Sequence, residues 1–301
     1  MWLENHKPTS RMWQRVWQKA QRFAPYSIRT TVHSCPVVLN YGHTYPIHSR
    51  KFPTLNNPLI ELVNQAYRAT GRAITFLDIG ANVGDSILLL NTNCPEMIKE
   101  FCCVEGDAEF FSYLQFNLSS FDNAVLVSTL LSGTNGKQKE LLRTHAGTSS
   151  AQGNGSIPSK TLDTILAESS LKEFDVVKID VEGMDGLVME GAKLLLEQRP
   201  AVIFEWHPIL CEKTGNCWTH HFETLCASGY TRFIWFTKFG TFSHFMAGYD
   251  QATINTLAQF CLQTNNFFDW HYDVVALHAD SPISDVALAD LLFAQARKSN
   301  Y

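Results

Sequence analysis

Three features are missing from this 301-residue chain: a C-x-x-C pair, an apolar run long enough to span a bilayer, and a strong excess of one charge. The first absence excludes the usual spacing of zinc ligands. The eight cysteines, at 35, 94, 102, 103, 211, 217, 226 and 261, are scattered. Most are expected as buried thiols in a reducing compartment. The second absence excludes a transmembrane segment. The third, a net charge of −5 from 24 basic and 29 acidic residues, leaves no basic footprint for nucleic acid. The opening MWLENHKPTS lacks the apolar stretch and cleavage site of an export signal, so a cytoplasmic location is expected.

What is present suits one large core plus additions, or two unequal domains: 45% of residues are hydrophobic, with 20 Phe and 7 Trp. Residues 11–23, RMWQRVWQKAQRF, form a basic amphipathic helical pattern. Such a helix would pack on its own domain or on the mate of a homodimer, with membrane-surface binding the weaker alternative. Residues 25–58 are rich in Pro and turn residues and are expected as an irregular arm with short strands. From residue 59 strands and helices alternate. The expected strands are 74–80, 100–106, 124–132, 174–181, 200–207, 231–240 and 273–279, with a turn and a further short strand over 133–144. Helices are expected at 59–70, 83–93, 107–120, 160–169, 184–198, 218–230, 251–264 and 285–299, and 145–159 as a polar loop that acts as a lid or substrate lip. The alternation predicts a three-layer α/β fold with a mainly parallel sheet covered on both faces. The division is a 1–58 arm and a 59–301 domain. Such sheets place ligands beyond the carboxyl ends of their strands.

The first strand ends LDIGANVG, residues 77–84. Gly80 and Gly84 let backbone approach a ligand, Asn82 lies between them, and a helix opens at Val83. A dinucleotide loop would read G-x-G-x-x-G. Here Asp78 replaces the first glycine, which disfavours a pyrophosphate and suits an ammonium or sulfonium group. The second strand ends in Glu105, Gly106 and Asp107. Glu105 is placed to accept hydrogen bonds from ribose hydroxyls, and Asp107 to cap the next helix. Glycine loop and acidic strand end together point to S-adenosylmethionine.

DIGANVGDSILL followed by VEGD resembles the class I methyltransferase signature. TLDTIL, FDVVKIDVEGMDGLVMEGA and PAVIFEWHP, taken with it, are similar to the FkbM family of methyltransferases over residues 74–240. The resemblance implies a seven-stranded Rossmann-like methyltransferase sheet, S-adenosylmethionine as donor, and O-methylation of sugars or secondary metabolites. The chain departs from the family pattern in Gly106, where proline commonly follows the glutamate, and in Asp185, where glutamate is common.

Methyl transfer to an alcohol needs an aligned acceptor and a group that takes its proton. The fourth strand ends in Asp180 and Glu182, the fifth in Glu205 and His207. These four are the candidate catalytic residues, and Asp180 also borders the donor site. Histidine side chains titrate near neutral pH, which makes His207 a base candidate. Asp180 is read as a base, an orienting group or a metal ligand. A metal ion held by two carboxylates and a histidine is a secondary reading, and no metal ligand is assigned. Lys178 is expected to pair with one of these acids, and Asp185 and Glu190 to serve the following helix. The expected acceptor is a small-molecule or glycan hydroxyl in natural-product biosynthesis. An amide or amine, such as that of a peptide, is the alternative. A binding module without turnover is the reading outside enzymes.

Overall fold

The computed structural model describes residues 26–136, 138–145, 147–168, 173–263 and 270–290. The amphipathic stretch 11–23 lies outside the described residues. In chain order the strands are β1 Ser27–Val32, β2 Cys35–Asn40, β3 Ile74–Ile79, β4 Ile98–Glu105, β5 Ala124–Ser128, β6 Leu130–Leu131, β7 Gln138–His145 and β8 Thr148–Lys160. They continue with β9 Val176–Ile179, β10 Ala201–Trp206, β11 Tyr230–Thr237, β12 Phe242–Ala247 and β13 Tyr272–His278.

Eight of these strands form the main sheet, in the order β12-β11-β13-β10-β9-β3-β4-β5. The run from β5 to β10 is parallel. β13 enters antiparallel between β10 and β11, and β12 closes the edge antiparallel to β11. A strand stands at each of the seven expected places, but the one expected over 124–132 stops at Ser128, and Leu130–Leu131 pairs with β8 outside the main sheet. β12 is the eighth, a hairpin return after Gly240 to which the sequence pattern assigns no element.

Side-chain parity divides the sheet into two faces. Ile74 and Phe76 of β3 join one core with Val176, Ile203 and Val275, against helices Asn57–Thr70 and Asp85–Asn93. Leu77 and Ile79 join the other core with Val177, Phe204 and Val274, against helices Leu162–Glu168 and His220–Ala227. Burial on both faces makes ITFLDI a run of buried positions with no alternation in exposure.

Two other expected elements differ. Residues 148–159 are strand and not loop: β8 pairs antiparallel with β7 in a long hairpin. Its sequence, TSSAQGNGSIPSK, hid the strand because it carries no alternation of apolar and polar residues. The helix expected over 184–198 breaks into Asp185–Glu190 and Lys193–Glu197. At the break a Cβ on Gly191 would come within 2.7 Å of the Ser132 carbonyl oxygen.

The described part of the arm is packed into the same core. Val32, Val37 and Leu39 are buried in it. Asn117 fastens the hairpin, accepting from Val38 N at 2.8 Å and donating to its carbonyl at 2.9 Å. The eight cysteines are free thiols. Among the described residues no helix is long and apolar enough to cross a membrane.

Candidate active site

A cavity of about 320 Å³ opens beyond the carboxyl ends of β3, β4, β9 and β10. The arm roofs it with His43, Tyr45 and Asn56, and the hairpin adds Leu141, Gly147 and Ser149. Seven of its lining residues are Asp or Glu: Asp85, Glu105, Asp107, Asp180, Glu182, Glu205 and Asp273. Among the described lining residues Lys178 is the one Lys or Arg. This balance opposes a diphosphate and suits a ligand that carries positive charge.

One end of the cavity is built around Glu105. Its Oε2 accepts from Asn82 N at 2.8 Å and its Oε1 from Asp107 N at 2.7 Å. Burial pushes its pKa to about 7, while those two backbone donors pull it down. Asn82 holds the left-handed conformation at φ 48°, which asparagine tolerates better than most residues. Its side chain contacts His43 Nε2 at 3.2 Å and donates to the Gly147 carbonyl at 2.9 Å. One residue thus ties the loop, the arm and the hairpin tip together. Gly80 has φ 81°, and a Cβ there would lie 1.9 Å from the Asp180 carbonyl oxygen. The first and fourth strand ends abut only because that position is glycine. Asp107 caps helix Ala108–Asn117 as expected, accepting from Glu109 N and Phe110 N, and also accepts from Ser149 Oγ at 2.7 Å.

Beneath the loop the parallel register sets Asp78 opposite Lys178, and Asp180 follows two residues on, on the same face. The Lys178 ammonium lies 3.4 Å from Asp78 Oδ1 and 3.1 Å from Asp180 Oδ2. Burial alone would lower its pKa, but Asp180, Asp78 and Asp85 overcome that and hold it well above the ordinary value. Lys178 is therefore a fixed cation and not a proton acceptor. Burial raises Asp78 to about 6 against the pull of Lys178.

At the other end stand Asp180, Glu182, Glu205, His271 and Asp273. Burial, then the charges of Asp180, Glu182 and Asp273, raises Glu205 well above the carboxylate range. Burial and then Asp180 push Asp273 to about 7. Asp185 is buried outside the cavity and braces the turn after β9, accepting from Val181 N and Gly183 N at 3.2 Å each. Glu182 and Gly183 form that turn with φ of 55° and 88°.

The cavity gathers Gly80, Asn82, Glu105, Gly106, Asp180, Glu182 and Glu205 from the sequence-derived set. Three members lie elsewhere. Asp78 is fully buried behind the lining, and the cation it meets is Lys178 rather than a ligand. Gly84 caps helix Asp85–Asn93, where a Cβ would press on Leu114 at 3.1 Å; its smallness serves packing. His207 is buried at the start of helix Pro208–Thr214, with Nδ1 accepting from Leu210 N at 3.4 Å. Its ring stacks on His271, which does line the cavity. Sequence reasoning missed Asp85, His43, Tyr45, His271 and Asp273. For His271 and Asp273 a signal existed, since they flank the start of the last strand at the i, i+2 spacing of Glu205 and His207.

The family described as Methyltransferase FkbM domain matches residues 78–231. No curated protein matches the chain in sequence. Solved structures with similarity include a precorrin-6y C5,15-methyltransferase from Geobacter metallireducens, 13% identical, covering 68% of this chain and 82% of that one at a TM-score of 0.38. A methyltransferase FkbM from Methylobacillus flagellatus is 12% identical over 68% of this chain and 43% of that one, with a TM-score of 0.36. An O-methyltransferase from Bacillus cereus, in complex with SAH, is 11% identical over 91% of this chain and 94% of that one, with a TM-score of 0.43.

Proposed function

We propose that this chain, which belongs to the FkbM methyltransferase family, methylates a hydroxyl group of a small-molecule or glycan acceptor with S-adenosylmethionine as donor. The observation that carries this reading is one cavity joining Glu105 at one end to Asp180, Glu205 and Asp273 at the other. The acid-rich lining fits a donor bearing sulfonium and ammonium charges. Gly80, Asn82, Glu105 and Gly106 would hold it. Glu105 keeps lone pairs for ribose hydroxyls beyond the backbone bonds it already takes. The donor, when bound, supplies a methyl group on a positively charged sulfur.

The chain's own work is then positioning and proton handling. Lys178 holds Asp180 at the cavity wall. The acceptor hydroxyl must lose its proton, and Asp273, raised to about 7, is matched to take it near neutral pH. Asp180 orients the acceptor beside it. His207 is too deep for either task.

Calorimetry with S-adenosylhomocysteine tests the donor half: one-to-one binding is expected, and its absence from folded protein sinks the reading. A mass-spectrometric acceptor screen tests the other half. Methylated product linked through oxygen is expected. Product linked only through nitrogen overturns the hydroxyl assignment, and no S-adenosylhomocysteine formation with any acceptor favours a module without turnover.

A further inference from the structure

We propose that Glu205, His207 and His271 form a site for a divalent transition-metal ion at the acceptor end of the cavity. The site follows from strand pairing. β10 and β13 run antiparallel with Glu205 opposite Asp273 and Trp206 opposite Tyr272. One further step of that register sets His207 opposite His271. Residues at i and i+2 share a face, so Glu205, His207, His271 and Asp273 make a square on one side of the sheet.

The side chains converge as that placement predicts. The two imidazoles stack with centroids 4.9 Å apart and planes 26° apart. His271 Nε2 lies 3.3 Å from Glu205 Oε2. One ligand-type atom from each of the three residues lies within 4.8 Å of the other two. Ligand atoms around a tetrahedral ion at roughly 2.1 Å stand roughly 3.4 Å apart, so small side-chain turns close the set. Leu210 N also bonds the His207 carbonyl at 3.0 Å. It stays satisfied if the imidazole turns away from it toward a metal.

The charge environment points the same way. Asp180, Glu182, Asp273 and Asp185 crowd Glu205 with negative charge, and the Lys178 ammonium is engaged by Asp78 and Asp180. Two imidazoles with one carboxylate select a first-row transition ion over Mg²⁺ or Ca²⁺. Binding of the ion needs no methyl donor. Its use, favouring the deprotonated form of an acceptor hydroxyl, would rest on the methyltransferase reading above.

The test is a titration of chelator-treated full-length protein with Co²⁺, followed by visible absorption, and with Zn²⁺, followed by calorimetry. Neither titration contains a donor. One ion per chain is expected. His271→Ala and Glu205→Gln should each weaken Co²⁺ binding by more than about tenfold, the loss that even an outer partner of a metal ligand produces. His244→Ala, on β12 at the sheet edge, should bind as wild type does. Circular dichroism checks that each variant is folded, with His271→Gln as the substitute if His271→Ala is not. No stoichiometric binding of Co²⁺ or Zn²⁺ by the wild type overturns the site, as does Co²⁺ binding unchanged in both ligand variants, or tighter binding of Mg²⁺. S-adenosylhomocysteine binding is measured on the same sample. Its loss with Co²⁺ binding intact would sink the donor reading and leave the metal site standing, and the reverse result would do the opposite.

Discussion

Glu105 and Glu205 stand at opposite ends of one cavity and are held in different ways. Each oxygen of Glu105 takes a backbone N–H, from Asn82 and Asp107. Glu205 faces His271 at 3.3 Å and the charges of Asp180, Glu182 and Asp273. The first carboxylate is braced by loops within about one strand-helix-strand unit of it. The second depends on β13, which arrives late in the chain and inserts between β10 and β11. A braced carboxylate can hold a ligand without moving. A crowded set of carboxylates is poised to accept a proton or a cation. On the proposed reading the Glu105 end is thus suited to binding the donor and the Glu205 end to chemistry.

Gly80 lies at the seam between the two ends, and its replacement should do the most damage. Gly80→Ala places a Cβ 1.9 Å from the Asp180 carbonyl oxygen at a φ of 81°. A loss of more than about 3 kcal/mol in stability is expected by denaturant unfolding. Wild-type stability would mean that the strand ends do not meet as described. Asp273→Asn should lower kcat by about 100-fold, as removal of a proton acceptor does, and leave S-adenosylhomocysteine affinity within about twofold. Equal losses in both would erase the distinction between the ends.

The pH dependence separates them further. Glu105 has a folded pKa of about 7, raised above the ordinary carboxylate value. Its contribution to stability is therefore full below the ordinary value and is lost as pH rises through about 7. Donor affinity should run the opposite way, because the ionised carboxylate is the better acceptor of ribose hydroxyls. A gain of about tenfold between about pH 6 and about pH 8 is expected by calorimetry. A flat profile would show that Glu105 does not touch the donor. The smallest effect is assigned to His43→Ala, which removes one contact to Asn82. Donor affinity should fall by about 0.5–1.5 kcal/mol, with no change in kcat at saturating donor.

The same contrast explains what the sequence disclosed. The donor loop lies in contiguous residues, and its pattern of glycines and strand-end acids placed Gly80, Asn82 and Glu105 at the cavity. Asp78 was harder, because both faces of β3 are buried and no alternation tells which side a residue takes. His207 looked like a strand-end base because nothing in EWHP announces that the strand stops at Trp206 and the imidazole becomes a helix cap. His271 and Asp273 acquire meaning only from the antiparallel register of β13 against β10. His43 and Tyr45 sit in a turn-rich segment with no periodicity, so their place over the cavity could not be read. The main sheet was legible because its strands are apolar and regularly spaced. In the β7–β8 hairpin the short strand expected over 133–144 is present as β7, whereas β8 was not legible because its sequence, TSSAQGNGSIPSK, is polar.

Glu105 is the residue on which donor binding is proposed to depend most. Titration of S-adenosylhomocysteine into wild-type protein and the Glu105→Ala variant, both checked for fold, tests that directly. One-to-one binding by the wild type is predicted, weakened in the variant by more than about tenfold, as loss of a charge-assisted hydrogen bond of about 1.5–3 kcal/mol requires. Equal affinity in the two proteins, or no binding by the wild type, would contradict it.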